Sequence, residues 1–427
     1  MKTFVIVWLG QVISLLGSGL TSFALGIWVY QGTGSTTQYA LISLFAITPY
    51  VVVSPLAGAI VDRWNRRWTL ITSDSCAGLS TLAIALLLAS NHLEIWHIYL
   101  STAIISVCNA FQSPAYTSAT TLLVPKQFLG RASGMIQLGE AIARLISPAL
   151  AGVFLVSIQL PGIILVDFTT FLFALTTLLS VRFPHVSSSS DKRQPGSLLR
   201  WTIDGWFYIS AKPGLLGLLL YMTAGNFFIG IAIVLITPLV LSLAPPTILG
   251  TIMSVSGAGM LLASLAFSTW RGGIRYINTL LGFMFLGGLS IFVAGLRPSI
   301  PLVALASFLG FSGWPIVSAA SQVIFQKKSP PELQGRIFAC KQMFSASALP
   351  LAYGVAGALA DRIFEPLMAP DGFLASSIGR IIGVGSGRGI ALLFIVVGLL
   401  TMMTTILAYC YRPLRRVEDE LPDAIPD

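Results

Sequence analysis

The sequence predicts an all-α membrane protein, with twelve transmembrane helices gathered into two six-helix bundles. Three observations carry that expectation. The 427-residue chain is 55% hydrophobic and only 10% charged, whereas a soluble protein is about a quarter charged. Its mean hydropathy is +0.85. The apolar residues also fall in long runs, such as ALLFIVVGLLTMMTTILAYC over 391–410, and roughly 20 such residues are needed to cross about 30 Å of hydrocarbon.

In order, the predicted helices cover 4–30, 38–61, 69–90, 96–121, 134–158, 161–182, 215–243, 247–270, 276–296, 302–325, 337–361 and 390–411. The first is too long for the roughly 7–15-residue apolar region of a signal peptide and reads as a retained span. With the N-terminus placed inside, 19 Lys and Arg fall in inner segments and 4 in outer ones. That asymmetry sets both termini in the cytoplasm. It also accounts for most of the net charge of +9 without a nucleic-acid partner. Cys76, Cys108, Cys340 and Cys410 lie in spans or at their ends, so no disulfide framework is expected.

The hydrophobic pattern breaks near the midpoint, at 184–214. Residues 1–183 and 215–412 are expected to form the two bundles, joined by this cytoplasmic linker, with 413–427 a cytoplasmic tail. Within the linker, LLRWTIDGWFYI puts Leu199, Ile203 and Trp206 on one helical face and Arg200 and Asp204 on another. That pattern suits a short helix lying on the inner leaflet. The inner loops PKQFLGR (125–131) and PPELQGR (330–336) share P-x-x-x-x-G-R at a separation of 205 residues. Pro would halt a helix, Gly turn the chain, and Arg anchor to phosphate or a helix end. Equivalent loops half a chain apart point to parallel repeats, a plan used by secondary transporters.

One inner loop, AGAIVDRWNRRW over 57–68, concentrates charge: Gly58, Asp62, Arg63, Arg66 and Arg67. It resembles the signature of the major facilitator superfamily, G-x-x-x-D-R-x-G-R-R/K. With the six-plus-six layout and inner linker, the likeness covers nearly the whole chain and implies the major facilitator fold. Asn65 stands where the family usually has Gly, and its tolerance of left-handed backbone would keep the turn. The likeness implies a gating loop that stabilises one end-state of a two-state equilibrium. The plainer reading makes the three Arg topology charges alone. A near copy, AGALADR at 356–362, shares five of seven residues with AGAIVDR. It ends helix eleven, which runs outward, and it lacks the basic cluster, so it is an echo rather than a second gate.

In helix five, Gly134, Ala143, Ser147, Pro148, Ala151 and Gly152 follow the spacing of a motif of the antiporter branch, with Ala or Ser at several Gly positions. The likeness implies antiport; close helix packing alone would also explain it. Four ionisable residues inside spans are proton-coupling candidates: Asp74, Glu140, Arg144 and Asp167. Glu140 and Arg144, at i and i+4, are placed to pair, and such a pair can be purely structural. By the family's plan, helices one, four, seven and ten line the substrate cavity. That assigns to it Gln11 and Ser18; Asn109, Phe111 and Gln112; Asn226, Phe227 and Phe228; and Phe311 and Trp314.

The finer likeness, in QVISLLGSGLTSFALGIWVYQGTGS and NAFQSPA, is to the enterobactin-exporter-like and macrolide-efflux-like branch. It implies a monomeric transporter of the bacterial inner membrane. Such a protein exports an amphipathic small molecule (a siderophore, macrolide or other natural product or drug) in exchange for protons. An importer, a lipid-type flippase, and a non-transporting sensor or scaffold stay open as alternatives. No phosphate-binding G-x-x-x-x-G-K-[ST] loop is present, and His92, His97 and His185 lack metal-ligand spacing. No enzyme activity, metal or cofactor is expected.

Overall fold

The structure, a computed structural model, describes residues 2–61, 64–181, 205–268, 275–330 and 333–421, with the side chains at 58, 59, 66, 122 and 126 outside the description. All twelve predicted helices form: α1 (Lys2–Thr33), α2 (Thr36–Val61), α3 (Arg66–Ala89), α4 (Ile95–Leu123), α5 (Leu129–Ser157), α6 (Gln159–Ser180), α7 (Pro213–Leu241), α8 (Pro246–Ser268), α9 (Tyr276–Leu296), α10 (Ile300–Lys327), α11 (Gln334–Leu359) and α12 (Arg388–Cys410). Among the described residues, eleven of them are long and apolar enough to cross a membrane. The exception is α4, which has the length at 29 residues but carries Ser, Asn and Gln along its middle. The chain is a multi-pass membrane protein.

The helices form two compact units, Met1–Arg193 with Pro245–Ser254, and Gln194–Ala244 with Val255–Asp427. In the first, α1 packs on α5 and α6, while α3 packs on α4 and α6. In the second, α7 packs on α11 and α12, while α9 packs on α10 and α12. These four pairings recur, whereas α2 also packs on α4 in the first unit without a counterpart of comparable extent between α8 and α10. Moreover, α4 and α10 begin 205 residues apart, as do α5 and α11. The shared loop motif works differently from expectation, however. Gly130 and Gly335 are each the second residue of a helix, α5 and α11, so neither turns the chain.

Lipid is as apolar as leucine, so helices associate through close van der Waals packing and hydrogen bonds rather than hydrophobic burial. The first unit shows both. At Gly17 of α1 an added Cβ would stand 3.0 Å from the Asp167 Cα of α6. At Gly19 it would stand 2.5 Å from Ser147 Oγ of α5, and that hydroxyl donates to the Leu16 carbonyl at 3.1 Å. In α2, Pro49 interrupts the backbone ladder. There the Ser106 hydroxyl of α4 is inserted, donating to the Ala46 carbonyl at 2.6 Å and accepting from the Tyr50 N–H at 3.0 Å. A hydroxyl from a neighbouring helix thus satisfies both ends of the opened turn.

Leu199, Arg200, Ile203 and Asp204 of the linker lie outside the described residues, but 205–210 is helical. Its Trp206 stacks on Phe344 of α11 at 5.0 Å and Ile209 is fully buried. The described end of that segment therefore packs on α11 through Trp206. Among the described residues after α12, Arg412–Arg415 and Val417–Glu420 are short helices whose Leu414 and Val417 are buried. The AGALADR echo runs from the end of α11 into a π-helical turn over Ala360–Phe364.

Candidate functional site

The polar residues of the first bundle gather in two layers, both keyed to α1. In the first layer, Gln11 Nε2 donates to Asp74 Oδ2 of α3 at 2.8 Å. Gln112 Nε2 of α4 donates to Asp74 Oδ1, and also to Gln11 Oε1 at 3.1 Å. Asp74 is buried. Tyr116, one turn further along α4, has a buried hydroxyl with no hydrogen-bond partner among the described residues.

The second layer lies seven residues on, about 10 Å along the helix. Here Ser18 Oγ donates to Asp167 Oδ1 of α6 at 3.2 Å. Thr21 of α1 and Thr81 of α3 lie beside the same carboxylate, but Thr81 donates to the Ala77 carbonyl of its own helix at 3.3 Å, and the buried Thr21 hydroxyl makes no hydrogen bond among the described residues. Asp167 is 3% exposed, and no described Lys or Arg pairs with it or with Asp74. Thr21 and Thr81 did not enter the sequence reading, yet the pattern held a signal. Gln11 and Ser18 on α1, like Asp74 and Thr81 on α3, are seven apart and so share one helical face.

The other two ionisable candidates do not join these layers. Glu140 and Arg144 of α5 are exposed, and the ion pair allowed by their spacing is not made. Side-chain rotamers can direct i and i+4 residues apart when nothing buries them together, and an exposed pair gains little from contact. Of the cavity candidates, Gln11, Gln112 and Ser18 are the ones committed to the two carboxylates. Asn109 is exposed, and Phe111 stacks on Trp64 at 6.3 Å. In the second unit, Asn226 is buried and donates to the Ser345 carbonyl of α11 at 3.3 Å, which ties α7 to α11. Phe227 and Phe228 meet edge to face at 5.7 Å, and both are half-buried, as are Phe311 and Trp314.

The antiporter-like positions form a packing stripe. Ala143, Ser147, Ala151 and Gly152 are buried on α5, whereas Gly134 is exposed with open space beside it. Pro148 lies against Gly250 of α8, and an added Cβ at Gly152 would stand 2.9 Å from the Pro246 carbonyl oxygen. The first residues of α8 belong to the same unit as α5.

The gating-loop residues Asp62 and Arg63, and the side chains of Gly58 and Arg66, lie outside the described residues. Arg67 donates through Nη2 to the Leu179 carbonyl at 2.8 Å, covering an orphan acceptor at the C-terminal end of α6. Asn65 is not left-handed: at φ −70° and ψ 112° its backbone is extended. Its side chain caps α3 instead, accepting from the N–H groups of Arg67 at 3.0 Å and Trp68 at 3.4 Å. Asn therefore serves here through its side-chain amide oxygen, which Gly lacks.

The Major Facilitator Superfamily family model matches residues 7–360. Macrolide efflux protein A of Streptococcus pyogenes is 28% identical over 369 residues, covering 84% of this chain and 90% of that protein. Multidrug efflux pump Tap of Mycolicibacterium fortuitum is 23% identical over 354 residues, covering 81% and 86%. Among solved structures, a bacterial homolog of the human lysosomal transporter Spinster superposes with a TM-score of 0.69 at 14% identity, over 97% of this chain and 98% of that one. A nucleoside transporter does so with a TM-score of 0.73 at 12% identity, over 95% and 99%. The chain belongs to the Major Facilitator Superfamily, a family of transporters rather than enzymes.

Proposed function

We propose that the protein is a proton-coupled exporter of an amphipathic small molecule, such as a macrolide, a siderophore or another natural product or drug. It works as a monomer in the bacterial inner membrane, with both termini in the cytoplasm, by alternating access of its two bundles. Efflux proteins among its relatives support the direction of transport. The observation that carries proton coupling is the setting of Asp167. Hydroxyls both donate and accept, so Ser18, which donates to Asp167, and the unpartnered Thr21 hydroxyl beside it can serve an ionised carboxylate and, by rotating, a protonated one. Around Asp74 the partners are amide N–H groups, which serve the ionised form. Asp167 is therefore assigned the exchangeable proton and Asp74 a fixed charge. The loop from Gly58 to Arg67 stabilises one end-state, with Arg67 holding α6.

The test is transport in proteoliposomes with and without a pH gradient. Asp167→Asn keeps the shape and removes the exchangeable proton. For one proton per cycle, each pH unit supplies about 1.4 kcal/mol, a tenfold accumulation. That factor should vanish in Asp167→Asn while counterflow without a gradient survives. Gradient-driven accumulation equal to wild type would overturn the assignment, and loss only in Glu140→Gln would move it to α5.

A further inference from the structure

We propose that a cavity walled by Trp28, Trp96 and Glu94 binds an alkylammonium group carried on an apolar stem. The cavity, of about 540 Å³, lies where α1 ends and α4 begins, away from both aspartates. Ligand pockets fall in the range of roughly 300–1,000 Å³. Gly32, Leu93 and Ile95 complete most of its lining.

Its walls are fixed by hydrogen bonds on both sides of a short loop. The end of α3 is closed by Asn91 in the left-handed region at φ 57°. There Asn91 N–H donates to the Leu88 carbonyl at 3.1 Å and His92 N–H to the Leu87 carbonyl at 2.9 Å. The start of α4 is closed by His97, whose Nδ1 accepts from the Glu94 N–H at 3.0 Å while its own N–H donates to the Glu94 backbone carbonyl at 3.1 Å. Trp96 donates its indole N–H to Glu94 Oε2 at 2.8 Å, and its ring lies on His97 at 3.8 Å between centroids. An interfacial tryptophan serving only as a lipid anchor does not need its indole tied to a carboxylate.

The electrostatics select the ligand. Residues 28–33 and 90–100 contain no Lys or Arg, and no described Lys or Arg pairs with Glu94. An exposed carboxylate without a paired Lys or Arg thus stands beside two indole rings, one face of Trp96 being covered by His97; the free faces of such rings attract cations. Anions are repelled, and neutral apolar molecules gain nothing from the charge. Two sources carry the fitting chemistry: the ethanolamine headgroup of a phospholipid, and a free amphiphilic amine. The site goes beyond the export reading and stands without it, because ligand binding here requires no proton exchange at Asp167.

The test uses the full-length protein in an uncharged detergent, with tritiated hexyltrimethylammonium as the probe in a scintillation proximity assay. Wild type should show saturable binding that hexanol does not displace. Glu94→Gln keeps an oxygen acceptor for the Trp96 indole and should weaken binding by roughly two- to fivefold, the scale of an exposed charge pair. Gly32→Leu should abolish it, since a Cβ at Gly32 meets no atom within 4 Å and the side chain fills the cavity. Displacement by dihexanoyl phosphatidylethanolamine but not phosphatidylglycerol identifies the lipid source; displacement by neither identifies free amines. The proposal is overturned if natively melting wild type binds nothing saturably. It is equally overturned if both variants bind as wild type does, or if hexanol competes as well as the cation.

Discussion

Glu418→Ala should lower the melting temperature of the purified protein measurably, while Glu420→Ala, two residues on, should leave it unchanged. Glu418 accepts from the N–H of Tyr276 at 3.2 Å and of Ile277 at 2.8 Å, the first two residues of α9. These are orphan donors at a helix N-terminus. A lost side-chain cap costs about 1 kcal/mol, and a lost anion at the positive end of the helix about 0.3–1 kcal/mol. The sum, about 1–2 kcal/mol, corresponds to roughly 2–8 °C for a bundle of this size. The segment is held in place for this role. Lys328 donates to the Glu418 carbonyl at 2.6 Å and to the Leu421 carbonyl, and Val417 is fully buried. Glu420 by contrast meets Arg412 at 3.6 Å and Arg416 at 4.0 Å with all three side chains well exposed. Such pairs contribute about 0–1 kcal/mol. Intrinsic tryptophan fluorescence during a thermal ramp reads both variants. Equal shifts for the two, or none for Glu418→Ala, would refute the reasoning that a half-buried cap outweighs an exposed ion pair.

Ser106→Ala should destabilise the first bundle by about 1–2 kcal/mol, the upper range measured for interhelical hydrogen bonds in membranes, because it strips partners from both the Ala46 carbonyl and the Tyr50 N–H. A melting curve checks it, and an unchanged midpoint shows that α2 closes its own ladder. Asp74→Ala should cost about 1–3 kcal/mol by removing the acceptor of the Gln11 amide and one of the two acceptors of the Gln112 amide. Asp74→Asn should cost clearly less, and equal losses would mean that shape rather than hydrogen bonding matters at that position.

Where helices begin and end was legible because the bilayer imposes it. A span must be long, apolar and fully hydrogen-bonded within itself, so its signature is local in sequence. The repeat was legible too, since α4 and α10, like α5 and α11, keep the 205-residue offset of their loop motif. The signature loop could likewise be located, but the service of Asn65 as a cap depends on backbone angles that residue identity leaves open.

Lateral partnership was decided only by the tertiary structure. Gln11 and Gln112 read equally well as cavity amides until Asp74 is seen between them. Glu140 and Arg144 read as a pair, yet stand exposed and apart. Ser18 meets Asp167 across 149 positions of chain. Helix periodicity fixes which residues share a face, while which neighbour that face meets depends on glycine contacts such as Gly17 and Gly19 that set how closely each pair of helices approaches. The sequence therefore determined the spans and their polar faces, and packing determined which polar groups found each other, because hydrogen bonds reach about 3 Å and only the assembled bundle sets distances on that scale.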